Sequence, residues 1–202
     1  MASDAFTNTN FTTLPTHDVN WVVNQGTYYI FSNAAYGNDA GSNIAGYTGQ
    51  SPSVDQSSEI VVGAITGFVY TGVGVHIATD GSANCYFLRC DDGTDGLVGG
   101  STVSGTSNND KASSSESLAV SDTLRLEVTV SGSTATLTAF INDVEITSGG
   151  FSTAWTDTDH TSGDYGVTHF SNSSASRATS WEGLDLGGGG GGTILPLMMS
   201  YT

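Results

Sequence analysis

Through most of this chain apolar and polar residues alternate singly, the period of an extended strand with one face buried. In DTLRLEVTVSG, Leu124, Leu126, Val128 and Val130 fall on one side, and Arg125, Glu127 and Thr129 on the other. Ser131-Gly132-Ser133 reads as a turn. STATLTAFI then resumes with Ala135, Leu137, Ala139 and Ile141 on a common face. Asn142-Asp143 is a tight hairpin turn into VEIT. VYTGVGVHIAT places Val69, Thr71, Val73, Val75 and Ile77 together, with Tyr70, Gly72, Gly74 and His76 on a wet face.

TYYIFS, SSEIVVGAI, NCYFLRC, DYGVTHF and SWEGLDL are further strands. NCYFLRC is apolar on both faces, as a covered central strand is. Residues 99–117 read as a long polar loop, a length that is usually functional or mobile. Helix formers are scarce, and Gly, Ser and Thr interrupt every window. About ten short strands joined by polar turns predict an all-β fold, a two-sheet antiparallel sandwich with its core between the sheets.

Composition narrows the partners. The 202 residues suffice for one domain, with or without arms. Four basic residues, Arg89, Lys111, Arg125 and Arg177, face twenty acidic ones, a formal charge of −16. That balance argues against a nucleic-acid backbone, which needs clustered cations, and against anionic lipid. Cys85 and Cys90 lie five residues apart on one strand, roughly 16 Å and on opposite faces. They cannot bridge each other, because a disulfide needs Cα atoms within about 7 Å. Free thiols fit synthesis in a reducing cytoplasm. The opening MASDAFTNTNFTTLP has neither the basic patch nor the apolar stretch of a secretion signal.

Candidate chemistry is sparse. His17, His76, His160 and His169 are scattered, and the cysteines lack metal spacing with them. Glu59, Glu127 and Glu182 each stand alone on a strand, and Asp143-Val144-Glu145 is the nearest approach to a carboxylate pair. In TDTDHTSGD, Asp157, Asp159 and Asp164 place oxygen donors at the spacing of a loop calcium site, although the closing Glu of an EF-hand is missing. Asp91, Asp92 and Asp95 form a second acidic turn. Asp and Gly are also ordinary turn residues. No cofactor is required, and calcium is the one candidate ion. Trp155 and Tyr165 flank the first acidic loop and are candidate glycan-stacking rings. Trp21 and Trp181 are assigned to the core.

The order of several short features then points to a family. Asp4, Phe6, Thr7, Leu14, Trp21, Gly26, Tyr28 and Ile30 open the chain. A Gly-rich strand (Gly72 to Ile77), a Tyr/Phe strand (Tyr86 to Leu88), the Leu124–Ile141 hairpin, the acidic loop and SWEGLDL follow. Over about residues 4–186 this resembles concanavalin A-like (laminin-G-like) jelly-roll domains. The resemblance implies a jelly-roll sandwich of a kind found in secreted glycan-binding proteins, glycoside hydrolases and bacteriophage structural proteins. Hydrolases of that fold carry Glu-x-Asp-x-x-Glu on one strand, and this sequence has no such string.

The chain is therefore expected to comprise a jelly-roll domain, residues 1–186, and a Gly-rich C-terminal arm, residues 187–202. The arm ends in TILPLMMSYT, whose Ile194, Leu195, Leu197, Met198, Met199 and Tyr201 are too few to span a bilayer. They suit a docking strand that adds to another subunit's edge or surface. The leading expectation is a non-catalytic virion component, of the phage capsid-decoration, fibre or tail type. It would be made in the host cytoplasm, would dock on other virion proteins or on its own copies, and would present a jelly roll that contacts cell-surface glycans. The alternative is an extracellular carbohydrate-binding, lectin-like module, and a glycoside hydrolase comes third.

Overall fold

A computed structural model describes residues 1–65, 71–90, 96–103, 107–153, 155–170 and 174–187. The chain opens with β1 (Ala2–Asp4), β2 (Thr12–Thr13) and one helical turn, α1 (Leu14–His17). Next come β3 (Trp21–Gln25), β4 (Tyr28–Ile30), β5 (Ala35–Gly37), β6 (Asn43–Tyr47) and β7 (Gln56–Ile65). The middle holds β8 (Thr71–Ile77), β9 (Cys85–Cys90), β10 (Leu97–Val103) and β11 (Ser107–Ser114). The last strands are β12 (Thr123–Ser131), β13 (Thr134–Ile141), β14 (Val144–Glu145), β15 (Trp155–Asp157), β16 (Asp164–His169) and β17 (Ser176–Asp185).

Among the described residues these strands form two antiparallel sheets, the expected sandwich. One runs β14-β13-β12-β7-β17-β5-β4-β2, with β1 on β17 and β15 on β13. The other runs β11-β10-β9-β8-β16-β6-β3. Apolar parity sets their facing sides. Leu124, Leu126 and Val128 of β12 and Ala135, Leu137 and Ala139 of β13 point inward against Val73, Val75, Tyr86, Leu88 and Val167 of the second sheet. Asn142 and Asp143 both take positive φ, 50° and 63°, as a two-residue hairpin requires.

The core is anchored at one side by aromatic rings. The Trp21 and Trp181 rings lie 4.8 Å apart, and Tyr47 and Tyr165 pack on Trp181 at 5.1 and 5.5 Å. Their polar atoms are satisfied locally. Trp21 Nε1 donates to Asp4 at 2.7 Å, and Trp181 Nε1 donates to Ser58 Oγ at 2.9 Å. Ser58 Oγ in turn donates to the Gly166 carbonyl at 2.7 Å, tying the two sheets together. Asp4 also accepts the Phe6 N–H and meets His17 Nε2 at 2.8 Å, so the chain start is fastened to the core it covers. Burying rings of this size contributes roughly 2–3 kcal/mol each.

Three expectations fail here. Residues 99–117 are mostly not a loop: β10 and β11 form a hairpin through them, with β11 at the edge of its sheet. An edge strand of Ser, Asn and Asp carries no apolar alternation, so its sequence looks like a turn. Ile77 is the second. It faces away from Val73 and Val75, in a separate cluster with Ile44, Ala83, Cys85, Phe87, Val98 and Phe170. Against β16, β8 carries one extra residue between Gly74 and Ile77, and His76 sits there at φ 50°. That bulge flips the parity of everything after it. His76, assigned to a wet face, is 1% exposed.

Candidate functional site

The bulge in β8 sets up a pocket at one end of the seven-stranded sheet. Ile77 and Asp164 are paired positions on β8 and β16. Tyr165 points into the core, so its neighbour Asp164 points to the sheet's outer side. There Ile77 and Asp164 flank Gly46: a Cβ on Gly46 would stand 3.3 Å from Ile77 Cγ2 and 3.5 Å from Asp164 Cβ. Three loops meet around them, residues 48–55, 78–84 and 158–163. They border an open pocket of about 480 Å³, lined by Ser51, Thr79, Asp80, Ser162, Gly163 and Asp164, with Pro52 and Ala78 as apolar walls. This is within the range, about 300–1,000 Å³, of small-molecule sites.

Each loop is pinned from below by a polar side chain of a strand. His76 Nε2 lies 2.8 Å from the Val54 carbonyl oxygen, and Nδ1 lies 3.1 Å from the His160 carbonyl oxygen. Gln56 Nε2 donates to the carbonyls of Gly163, at 2.9 Å, and Ser53, at 3.1 Å. Asn24 Nδ2 donates to those of Ala78 and Ser82. Gly163 lies so close to β8 that a Cβ there would stand 2.5 Å from the His76 carbonyl carbon, and its φ of 148° disfavours a side chain in any case. Loops fixed in this way keep the shape of the pocket without help from a ligand.

Asp164 is the unusual group. It is 7% exposed and makes no side-chain hydrogen bond or ion pair among the described residues. Burial alone pushes its carboxyl up to about 6. Asp80, across the pocket, is exposed. Its side chain accepts the Ser82 N–H at 2.9 Å, and its interactions with Ser82 hold it below its ordinary value. No lysine or arginine lines the pocket.

The other end of the acidic loop is built differently. Asp157 meets Lys111 Nζ at 3.0 Å and accepts the backbone N–H groups of Thr158 and Asp159 at 2.7 and 2.8 Å. Burial pushes the Asp157 carboxyl up. The Asp159 N–H, the Lys111 ammonium and the Thr158 N–H outweigh it, and the group sits below its usual range. Asp159 accepts from Ser101 Oγ at 2.9 Å and lies 3.8 Å from the same ammonium. The Tyr86 hydroxyl joins the two halves, accepting the His160 N–H at 2.9 Å and donating to Asp157 at 3.3 Å. The structure does not bring the three carboxylates of the expected calcium loop together. Lys111 supplies the positive charge beside Asp157 and Asp159, Asp164 stands apart from that ion pair, and the described residues hold no group of three or more His, Cys, Asp or Glu side chains that could hold a metal ion. Asp91, Asp92 and Asp95 lie outside the described residues.

The candidate glycan-stacking rings are also placed elsewhere. Tyr165 is fully buried against Trp181, and its hydroxyl donates to Gln50 Oε1 at 3.1 Å. Trp155 is 8% exposed and packs on Phe151. Neither presents a free face. Trp21 and Trp181 occupy the core as expected. The arm residues Ile194, Leu195, Leu197, Met198, Met199 and Tyr201 lie outside the described residues, so docking on virion partners or on a second copy stays a sequence expectation. No helix among the described residues is long and apolar enough to cross a membrane.

Sequence reasoning missed a carboxylate pair. Glu59 and Glu182, each alone on its strand, are directly opposed between β7 and β17 on the outer face of the ten-stranded sheet. They border a depression of about 380 Å³. Arg125 lies beside this pair, 3.4 Å from Glu59 and 3.1 Å from Glu127, and also meets Asp143. Its guanidinium stacks on Phe140 at 4.4 Å. An ion-pair network of this kind braces a sheet face. The signal for it was the spacing of charged residues on the outward positions of three adjacent strands.

Comparison with known proteins speaks to fold. No family model matches the sequence, and no curated protein matches it. Among solved structures the chain is similar to the carbohydrate-binding module CBM66 from Bacillus subtilis. The TM-score is 0.57 at 14% sequence identity, over 82% of this chain and 92% of that one. The likeness covers most of both chains and agrees with the two-sheet antiparallel sandwich.

Proposed function

We propose that this chain is a non-catalytic carbohydrate-binding module whose ligand enters the pocket between loops 48–55, 78–84 and 158–163. The observation that carries the reading is Asp164, a buried carboxylate with no side-chain partner among the described residues, lining a pocket whose walls are pinned by His76, Gln56 and Asn24. A carboxylate in that setting is an acceptor waiting for donors, and sugars are dense in hydroxyl donors. The hydroxyls of Ser51, Thr79 and Ser162 can donate and accept around it. The similar fold of a carbohydrate-binding module supports this trade over the virion role, for which no described residue speaks.

The test is calorimetric titration of the whole chain with a panel of neutral and charged oligosaccharides, repeated with Asp164→Asn. The reading expects saturable binding, weakened about tenfold or more in the variant, which is the cost of one charge-assisted hydrogen bond. Binding unchanged by the substitution would move the site elsewhere. Release of new reducing ends by the wild type would overturn the non-catalytic assignment.

A further inference from the structure

The charge inside the pocket goes beyond a general affinity for sugar. Its lining holds two carboxylates, Asp80 and Asp164, and no basic residue. Asp164 is largely buried and has no side-chain partner among the described residues, with Ile77 and Gly46 beside it and its carboxylate open only toward the pocket. A neutral hydroxyl would donate one hydrogen bond to it and leave the charge uncompensated. An ammonium would donate and neutralise as well, adding the attraction of opposite charges that a hydroxyl lacks. A uronic acid or sulfated sugar would bring a third negative group into a site that already holds two, on a protein of formal charge −16. A bare divalent cation fits poorly. Calcium takes about 6–8 oxygen ligands, and the described residues hold no group of three or more metal-ligating side chains. A primary ammonium needs only three acceptors, and the lining carries Asp164, Asp80 and the hydroxyls of Ser51, Thr79 and Ser162.

Resting on the carbohydrate-binding reading above, we infer that the pocket selects amine-bearing sugars, with Asp164 receiving the ammonium and Asp80 adding its charge at the rim. The positive charge is carried by the ligand, and the hydroxyls around the amine meet Ser51, Thr79 and Ser162. Asp164 is thus a specificity-determining residue, and its burial is what strengthens the discrimination.

Titration of the full chain near neutral pH with glucosamine oligomers, with N-acetylglucosamine oligomers of the same length and with oligogalacturonate separates the possibilities. The expected result is at least about tenfold tighter binding of the free amine than of the acetylated sugar, and no binding of the acid. Asp164→Asn should reduce the amine preference to less than about threefold, and Asp80→Asn should reduce it by a smaller factor. Added salt should weaken the free-amine complex and leave the acetylated one nearly unchanged. Equal affinity for both sugars, lost equally in Asp164→Asn, would overturn the inference and leave the carbohydrate-binding role standing. A preference that survives in Asp164→Asn would overturn it too. Calcium binding that depends on Asp164 would replace the amine with a metal. If no sugar binds at all, both readings fall.

Discussion

Asp157 and Asp164 are the same residue type at opposite ends of one short acidic loop, and their surroundings drive them in opposite directions. Asp157 has a lysine, two backbone N–H groups and a tyrosine hydroxyl, and sits below its usual range. Asp164 has no side-chain partner among the described residues, and burial pushes it up to about 6. The first is a fastening and the second an unmet demand. Burial is common to both, so burial by itself does not mark a binding residue. Burial without a partner, facing a cavity, is the observation on which the proposed binding role rests.

The sharpest way to break the contrast is to remove the residue that holds the two ends in register. His76→Ala leaves the Val54 and His160 carbonyls without their ring partner. It should cost about 2–4 kcal/mol in urea unfolding and abolish oligosaccharide binding. A loss below about 0.5 kcal/mol would mean that the loops hold themselves. His76 also carries a weaker pH signature. Burial lowers its pKa, while the Val54 and His160 carbonyls oppose that. A neutral ring donates to only one of those two oxygens, and a protonated ring donates to both.

Next in size is Asp157→Asn, which strips Lys111 of its closest counter-charge. A loss of about 1–2 kcal/mol is expected near neutral pH, discounted for solvent around the lysine. Its sign with pH follows from a folded-state pKa below the unfolded one. The contribution is complete above the ordinary carboxylate range and disappears as pH falls through the folded value. The wild type and the variant should therefore converge in acid.

Asp164→Asn should do the reverse. The folded carboxyl keeps its proton up to about pH 6, whereas the unfolded one loses it near the usual 3.8. Between those values unfolding releases a proton, so wild-type stability falls as pH rises and then levels off. The variant lacks that slope and should be more stable near neutral pH by about 1 kcal/mol, allowing for solvent at the pocket mouth. A destabilised Asp164→Asn would mean that the carboxylate has a structural partner after all. The smallest effect belongs to Lys111→Met. Its ammonium is one-third exposed and its pKa is raised by the Asp157 bond, so roughly 0.5 kcal/mol is expected. The clearer readout there is an upward shift of Asp157 in a carboxyl NMR titration.

The parts of this molecule that were legible in advance were those written in local alternation. Strands β12 and β13, the Asn142-Asp143 turn and the opposite facing of Cys85 and Cys90 follow from parity alone. Parity fails where a residue is inserted. The bulge at His76 turned Ile77 outward, and that turn is what puts an apolar neighbour beside Asp164. The edge strand β11 was illegible because a strand with one partner and a polar face needs no apolar pattern. Trp155 and Tyr165 were misplaced for a related reason. A ring next to an acidic loop in sequence can still point into the core from the adjoining strand.

The sequence by itself determined the all-β class, the inward faces of the long hairpins, the two core tryptophans and the formal charge of −16. These depend on residue type and period, which are local. Only the tertiary structure decided which acids are satisfied. Lys111 reaches Asp157 from another strand, and His76 ties two loops distant in the chain, because pairing depends on distance through space. The same three-dimensional arrangement leaves Asp164 buried without a side-chain partner among the described residues, because which groups come within reach of it depends on the fold of three separate loops.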